Sequence, residues 1–482
     1  MKTLAQRNKP KPTRARVAIV GAAGSIGEAL CRELSRMYDI LAVTGIETRA
    51  SAGEREPHVA WRHCDLFSLN ELTRILAGSK FAIFLAHSGL PNSRFHQANC
   101  GDMDLLMAEN FARAAEINGV EHIFCLRSLL PAATMRQEAQ NRHHQIGEVL
   151  ASYRTPLTVL CSSLVIEPGS AIIRLIRNLV SQSRFLPVPE WSLHKMQPIA
   201  THDLAQAFAH CLCQPARFTG NFDIGGPDIL DWQQFLEKTA ELLDCQPGIS
   251  QVGQLSPSQY ARRLRRIRPG AHPEALQLFV ENLQFDSIAS DNPLQQILQP
   301  TLQPALTALQ QAGNNEGLRQ AVRFRRKLIH RHDEQLRSAN TVRSIQRVRL
   351  PMGRDAAWLY KRYFNWLTAY LHPLVRCSEH PDSSNFIRIT CLGICLLQLE
   401  FRPERSSSER RIYFITGGLL ASRARNQRGR MEFREVLGGR YAMIAIHDFA
   451  PALPWHFYLA TQAAMHRFIM GVFQKYIESR QG

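Results

Sequence analysis

Gly21, Gly24 and Gly27 recur three residues apart in VAIVGAAGSIGEALCREL, where an apolar run gives way to a helix-forming stretch. Glycines so placed let main chain close on a diphosphate. Gly21 permits a tight turn, Gly24 lets the backbone approach a pyrophosphate, and Gly27 lets the following helix pack on the strand. The helix start adds N–H groups without intrahelical partners and a partial positive charge. The expected cradle is Gly21, Ala23, Gly24, Ser25, Ile26 and Gly27, and the expected ligand is a nicotinamide dinucleotide. A glycine triplet alone is weak evidence. Here it stands at the first junction of a strand–helix series, which is the context the motif requires.

The choice between NAD(H) and NADP(H) rests on fewer residues. An acid for the adenosine ribose is expected ~20 residues on, at the end of the second strand. That strand ends at Val43-Thr44-Gly45, and Glu47 lies beyond it. Arg49 could meet a 2′-phosphate, which tilts the expectation toward NADP(H). Equally, Glu47 and Arg49 are both solvated loop residues. Asp65, in His63-Cys64-Asp65-Leu66, either accepts from the adenine amino group or caps a helix over 67–78. No His, Cys or carboxylate cluster has metal-ligand spacing.

The elements that must position these residues follow from alternation. Short apolar runs at 17–20, 40–44, 81–86, 122–126 and 157–161 are separated by amphipathic stretches at 24–37, 68–78, 100–118 and 136–153. That pattern predicts βαβ units: an α/β, Rossmann, doubly wound parallel sheet covered on both faces. Residues 1–15, basic and without an acid, read as a flexible tail. The domain carrying the glycine turn spans 16–285, with a helix beginning near Asp231. The Gln-, Asn- and Pro-containing stretch 286–341 reads as a helical linker. Residues 342–482 read as a separate α+β domain. It has an aromatic helix at 358–371, single strands at 386–401, 410–420, 431–436 and 441–449, and a long terminal helix after Pro454.

Composition limits the function classes. Hydrophobic residues at 45% and charged residues at 21% exclude wholesale disorder. No apolar run reaches membrane-spanning length, no signal-peptide core is present, and the eleven scattered cysteines suit a reducing cytoplasm. The net charge of +17 is clustered, with RRLRRIR at 262–268 and nine arginines and lysines across 323–349. Such clusters favour anionic partners, including peripheral contact with an anionic membrane. The alternative is a solvated basic face without a partner. No finger, helix-turn-helix or aromatic RNA-binding pattern is present, so no specific nucleic acid is expected.

These residues resemble the short-chain dehydrogenase/reductase superfamily, in its atypical, NmrA-like branch. The likeness rests on the GxxGxxG turn, Cys64-Asp65-Leu66, FLAHSG (84–89), LTVLCSSLVIEPGSAIIRLIRNLV (157–180), FLPVPEWSLHKMQPIATHDLAQAF (185–208) and FDIGGPD (222–228). It implies an NAD(P)(H)-dependent oxidoreductase, with Ala86 after the fourth strand at the cofactor. The segments RGRMEFREV (428–436) and IAIHDFAPALPWHFYLATQAAMHRFIMGVF (444–473) look like the end of a START-like, helix-grip (SRPBCC-type) domain. That likeness implies a site for a hydrophobic small molecule or lipid. Alternatively, Trp455, Tyr458, Met465 and Phe473 only fill a core.

One departure concerns catalysis. Active members carry a Tyr-x-x-x-Lys pair on the helix before the sixth strand; here its places fall on Gln140 and His144, and Tyr153 comes one turn too late. The serine place is kept at Ser128. Three readings stay open. His144 or its neighbour His143 is the acid, His87 is the acid, or the domain holds the nucleotide without proton transfer as a redox sensor or assembly factor.

Overall fold

The computed structural model describes residues 14–47, 56–87, 96–97, 100–129, 138–167, 170–267, 273–314, 341–380, 383–422 and 429–479. The chain divides into two compact units, Met1–Ala86 with Asn110–Leu328, and His87–Glu109 with Ile329–Gly482.

The first unit is built on a parallel sheet. Its opening strands are β1 (Arg16–Val20), β2 (Asp39–Thr44), β3 (Val59–His63) and β4 (Phe81–Phe84). Three more follow, at His122–Ser128, Leu157–Ser162 and Gly220–Ile224. In space, from one edge, the order is Gly220–Ile224, Leu157–Ser162, His122–Ser128, β4, β1, β2, β3, and every neighbouring pair is parallel. The chain moves outward from β1 to β3 and then returns to β4. The strand order therefore reverses between β1 and β4, where open α/β sheets bind ligands.

The apolar runs became strands because both sheet faces are covered. Val17–Val20 are buried, and Val17, Ile19, Ile83, Phe124 and Leu160 share a core with Leu30, Leu34 and Phe208 of the covering helices. A second core of this unit gathers Ile173, Leu186, Phe235, Leu264 and Val280 around Trp232, whose indole N–H donates to the Tyr260 hydroxyl at 2.8 Å. The helix Trp232–Leu242 starts on a capping box made by Asp231 and Gln234. In the stretch read as linker, the helices Pro293–Leu298 and Ala305–Asn314 bury Leu294, Leu298, Ala305 and Leu309 against these two cores. Asn292 caps the first of these helices.

The second unit holds an eight-stranded sheet. Its order is Val375–His380, Ser383–Cys391, Ile394–Phe401, Arg410–Gly417, Arg430–Val436, Tyr441–Phe449, Val342–Arg349, His96–Gln97. All pairs are antiparallel except the last. Residues 386–401 are not one strand, as the apolar run suggested. They turn back at Leu392 and Gly393, with φ of +48° and +84°, in a two-residue hairpin. One sheet face packs on the helices Ala356–Tyr370 and Gln462–Glu478, where Tyr363, Phe364, Trp366, Tyr413, Phe433 and Phe473 interlock. Their ring centroids are separated by 5.0 Å for Trp366–Phe473 to 6.4 Å for Phe364–Tyr413.

Side chains alternate along a strand, so Glu432 points away from the face occupied by Phe433. It is buried in an ion cluster. Arg410 grips it twice, at 2.8 and 3.2 Å. Arg434 Nε lies 2.6 Å away and His447 Nε2 3.5 Å. Burial alone would raise this carboxyl, but the two guanidinium groups outweigh it and hold Glu432 well below the usual carboxylate range. Among the described residues no helix is long and apolar enough to cross a membrane.

Candidate functional site

The glycine turn sits at the carboxyl end of β1, beside the reversal point. The amides of Gly21 and Ala22 both donate to the Val43 carbonyl at 3.1 Å, which pins the turn to β2. Gly21 has φ of +92°, and a Cβ there would stand 2.8 Å from the Ala86 nitrogen. The turn and the residue after β4 thus touch backbone to backbone. At Gly27 a Cβ would come within 2.6 Å of the Gly21 carbonyl oxygen and 2.7 Å of Ala22 Cα, so helix α1 (Ser25–Leu34) lies directly on the turn. Gly24 is the residue before α1. Its backbone is ordinary, with φ of −66° and ψ of 159°, and no side chain caps the helix. Its dihedrals do not require glycine, but an added Cβ would stand 3.2 Å from the Gly21 carbonyl oxygen, a tight contact; the missing side chain also leaves room for what approaches from outside. The amides of Ser25, Ile26 and Gly27 have no intrahelical acceptor, and with Ala23 they form a cradle that suits a diphosphate.

At the end of β2, Thr44 is buried and accepts from the Ile46 amide at 3.0 Å, leaving Glu47 exposed. Arg49 lies outside the described residues. Asp65 follows β3 and accepts from the Phe67 amide at 3.1 Å. The helix there is Leu69–Leu76, and its cap is Ser68, which accepts from the Glu71 amide. The capping reading of Asp65 is therefore corrected: it closes the turn one step earlier, because Ser68 already occupies the position from which a side chain reaches Glu71. Cys64, behind this turn, has its thiol pushed up by burial.

Ser128 ends its strand half-buried and stands in register with Ser162. His144 lies on the helix Glu138–Ala151, which packs on the same strands. Arg127, the residue before Ser128 on the strand, is the one whose side chain meets His144. Its Nη1 reaches His144 Nδ1 at 3.5 Å, its Nη2 donates to the Cys161 thiol at 3.2 Å, and His144 Nε2 faces Glu148 Oε1 at 3.4 Å. A guanidinium only donates, so the tautomer that accepts from Arg127 through Nδ1 is the one with its proton on Nε2, toward Glu148. Arg127, Cys161 and Asp223 are register partners across three adjacent strands. Burial pushes the Cys161 thiol up; Arg127 opposes that shift and Asp223 adds to it. His87 is exposed beyond Ala86. The side chains of Gln140 and His143 lie outside the described residues.

Sequence reasoning singled out the turn, Ser128 and His144 as candidates. It did not find the row Arg127–Cys161–Asp223, which exists only through strand register. The spacing of His144 and Glu148, one helical turn apart, was the available signal for their pairing.

Known proteins agree with the first half of this picture. Residues 17–147 match the NAD dependent epimerase/dehydratase family. "Auxiliary protein GraX" of Staphylococcus aureus is 24% identical over 149 residues, which are 31% of this chain and 43% of that protein, so the match spans less than half of that relative. A nucleoside-diphosphate-sugar epimerase structure from Staphylococcus aureus aligns with 61% of this chain and 99% of its own, at 13% identity and a TM-score of 0.49. The triphenylmethane reductase of Citrobacter sp., complexed with NADP(H), aligns with 62% of this chain and 99% of its own, at 16% identity and a TM-score of 0.48. An NADPH-dependent quinone oxidoreductase of Escherichia coli, complexed with NADPH, aligns with 62% and 100%, at 17% and 0.47. Residues 17–147 thus carry the sequence pattern of the NAD dependent epimerase/dehydratase family.

Proposed function

We propose that the protein is an NAD(P)(H)-dependent oxidoreductase of the atypical short-chain dehydrogenase/reductase kind, acting on a hydrophobic substrate. The observation that carries this reading is the glycine turn at the reversal between β1 and β4, with backbone amides at the start of α1 and no side chain at Gly24. The amides of Ala23, Ser25, Ile26 and Gly27 hold the diphosphate, and Ala86 packs beside it. Asp65 and Arg49 serve the adenosine end, with NADP(H) favoured through Arg49. The nicotinamide supplies or accepts a hydride. Ser128 donates a hydrogen bond to the substrate oxygen, and the proton on His144 Nε2 is the one available for transfer, with His87 as the other acid. The second unit, read as of START-like, helix-grip kind, offers a site for a hydrophobic small molecule or lipid.

A second reading is a nucleotide-binding redox sensor or assembly factor without turnover. It is favoured by one observation: Gln140 and His144 stand where a tyrosinate-forming pair is required. Absorbance of NADPH and NADH at the nicotinamide band, followed across a panel of quinones and enones, separates the two. The first reading expects consumption that Ser128→Ala slows by about a hundredfold or more. Tight binding with no consumption across the panel would establish the second.

A further inference from the structure

One end of the second unit exposes large apolar side chains that its core does not use. Leu392 is 75% exposed, Phe457 66%, Leu419 62%, Ile394 58%, Leu374 52% and Leu453 39%. They come from four separate connections, yet backbone hydrogen bonds knit these into one rim. The Leu392 amide donates to the Leu374 carbonyl at 3.0 Å, and the Leu419 amide to Cys395 at 2.9 Å. The Ala452 amide donates to Leu420 at 3.0 Å, beside Leu453, and Gln462 reaches the same Leu420 carbonyl at 3.4 Å. Scattered exposed leucines need no explanation, whereas a contiguous set marks a contact surface.

The tip of this rim is built against local preference. Leu392 and Gly393 form a two-residue hairpin turn with both φ positive. Asn-Gly suits such a turn, and a γ-branched apolar residue in the left-handed region does not. Leucine there costs backbone strain and leaves its side chain in water. Both costs make sense if the side chain meets an apolar phase supplied from outside.

Charge identifies that phase. Residues 370–376, 390–396, 417–422 and 450–468 contain no aspartate or glutamate. They contain Arg376 and Arg467, both exposed. A second copy of the chain would bring the same positive charge to the contact, and a nucleic acid would leave the leucines in water. We propose that this rim docks on an anionic phospholipid surface, with Leu392, Ile394 and Leu419 entering the headgroup–acyl boundary and the arginines facing acidic headgroups. This does not depend on the redox reading of the first unit.

The test is flotation of the full-length protein with vesicles of phosphatidylcholine alone, or with about one-third phosphatidylglycerol, at low and high salt. Binding is expected to the anionic vesicles and not to the neutral ones. Leu392→Asn combined with Ile394→Thr, which suits the turn, should lower partitioning by about tenfold or more while leaving the Tm unchanged. Phe457→Ser, on a different connection, should weaken it independently. Arg262→Gln with Arg263→Gln, on the exposed arginine helix of the first unit, should leave most of the binding in place. Equal flotation of the wild type and the Leu392 variant would overturn the proposal. So would vesicle binding lost only in the Arg262 variant, or a dimer that the Leu392 variant dissociates in a protein that ignores vesicles.

Discussion

Replacing Gly27 with alanine should damage both the fold and the cradle, by amounts that follow from the structure. The added methyl would sit 2.6 Å from the Gly21 carbonyl oxygen, 2.7 Å from Ala22 Cα and 2.8 Å from the Ala22 oxygen. All three are main-chain atoms that cannot rotate aside. Ordinary contact needs about 3.4 Å or more, so α1 must retreat by about 0.8 Å. Overpacking of this kind costs about 1–3 kcal/mol, and the better helix propensity of alanine returns up to about 1 kcal/mol. The net loss of about 1–2 kcal/mol corresponds to a Tm lower by about 2–8 °C. The same retreat carries the amides of Ser25 and Ile26 away from a bound diphosphate. Each hydrogen bond to a charged group contributes about 1.5–3 kcal/mol, so losing two should weaken nucleotide affinity by about a hundredfold or more. Scanning fluorimetry and calorimetric titration measure the two effects. Gly147→Ala is the control: it lies in the helix Glu138–Ala151 and nothing stands within 4 Å of its added methyl, so it should stabilise slightly and leave binding alone. If Gly27→Ala keeps both the wild-type Tm and the wild-type affinity, the helix does not lie on the turn as described.

Three further outcomes follow from the cores. Glu432→Ala strands the buried Arg410 and Arg434 and should cost about 3–5 kcal/mol by urea unfolding, whereas Glu404→Ala, at an exposed position, should cost almost nothing. Tyr260→Phe removes the acceptor of the buried Trp232 indole N–H and should cost about 1–3 kcal/mol in the same assay. Burial, helped by the nearby Arg430 charge, lowers His447 from 6.5 to about 4. It is neutral in the fold and protonates more readily when unfolded. Its stabilisation is therefore complete above pH 6.5 and drains as pH falls toward 4, by about 3 kcal/mol over that window. A Tm profile that stays flat from pH 7 to pH 4, or that keeps its slope in His447→Gln, would contradict this assignment.

The first sheet was legible because its strands are buried on both faces and read as short continuous apolar runs: VAIV, ILAVT, FAIF, HIFCL and LTVLC all became neighbours. The turn was legible because glycine spacing and strand–helix context coincide within a dozen residues. The second unit was harder to read. Leu392-Gly393 lacks the Asn-Gly signal, so its hairpin resembles one long strand. The strand Val342–Arg349 sets three arginines, Ser344 and Gln346 among only three apolar residues, and its polarity masks its pattern. The two-residue strand His96–Gln97 carries no local signal at all. Near the candidate site, Arg127 could be seen in the sequence, but its grip on His144 and Cys161 is set by a register between strands that local pattern does not encode. The helices Pro293–Leu298 and Ala305–Asn314 fall in the stretch read as a helical linker, but proline and glutamine hid that their leucines pack into the first unit's cores.

The central claim is that main-chain amides at the start of α1 hold a nicotinamide dinucleotide. Calorimetric titration of the wild type and of Gly24→Val with NAD+, NADH, NADP+ and NADPH tests it most directly: Gly24 has an ordinary backbone, and the melt of the variant reports on the 3.2 Å approach of an added Cβ to the Gly21 carbonyl oxygen. Saturable heat with at least one of the four in the wild type, abolished in a Gly24→Val protein that still melts cooperatively, is the predicted result. No heat with any of them in a folded wild type, or undiminished heat in the variant, would contradict the account.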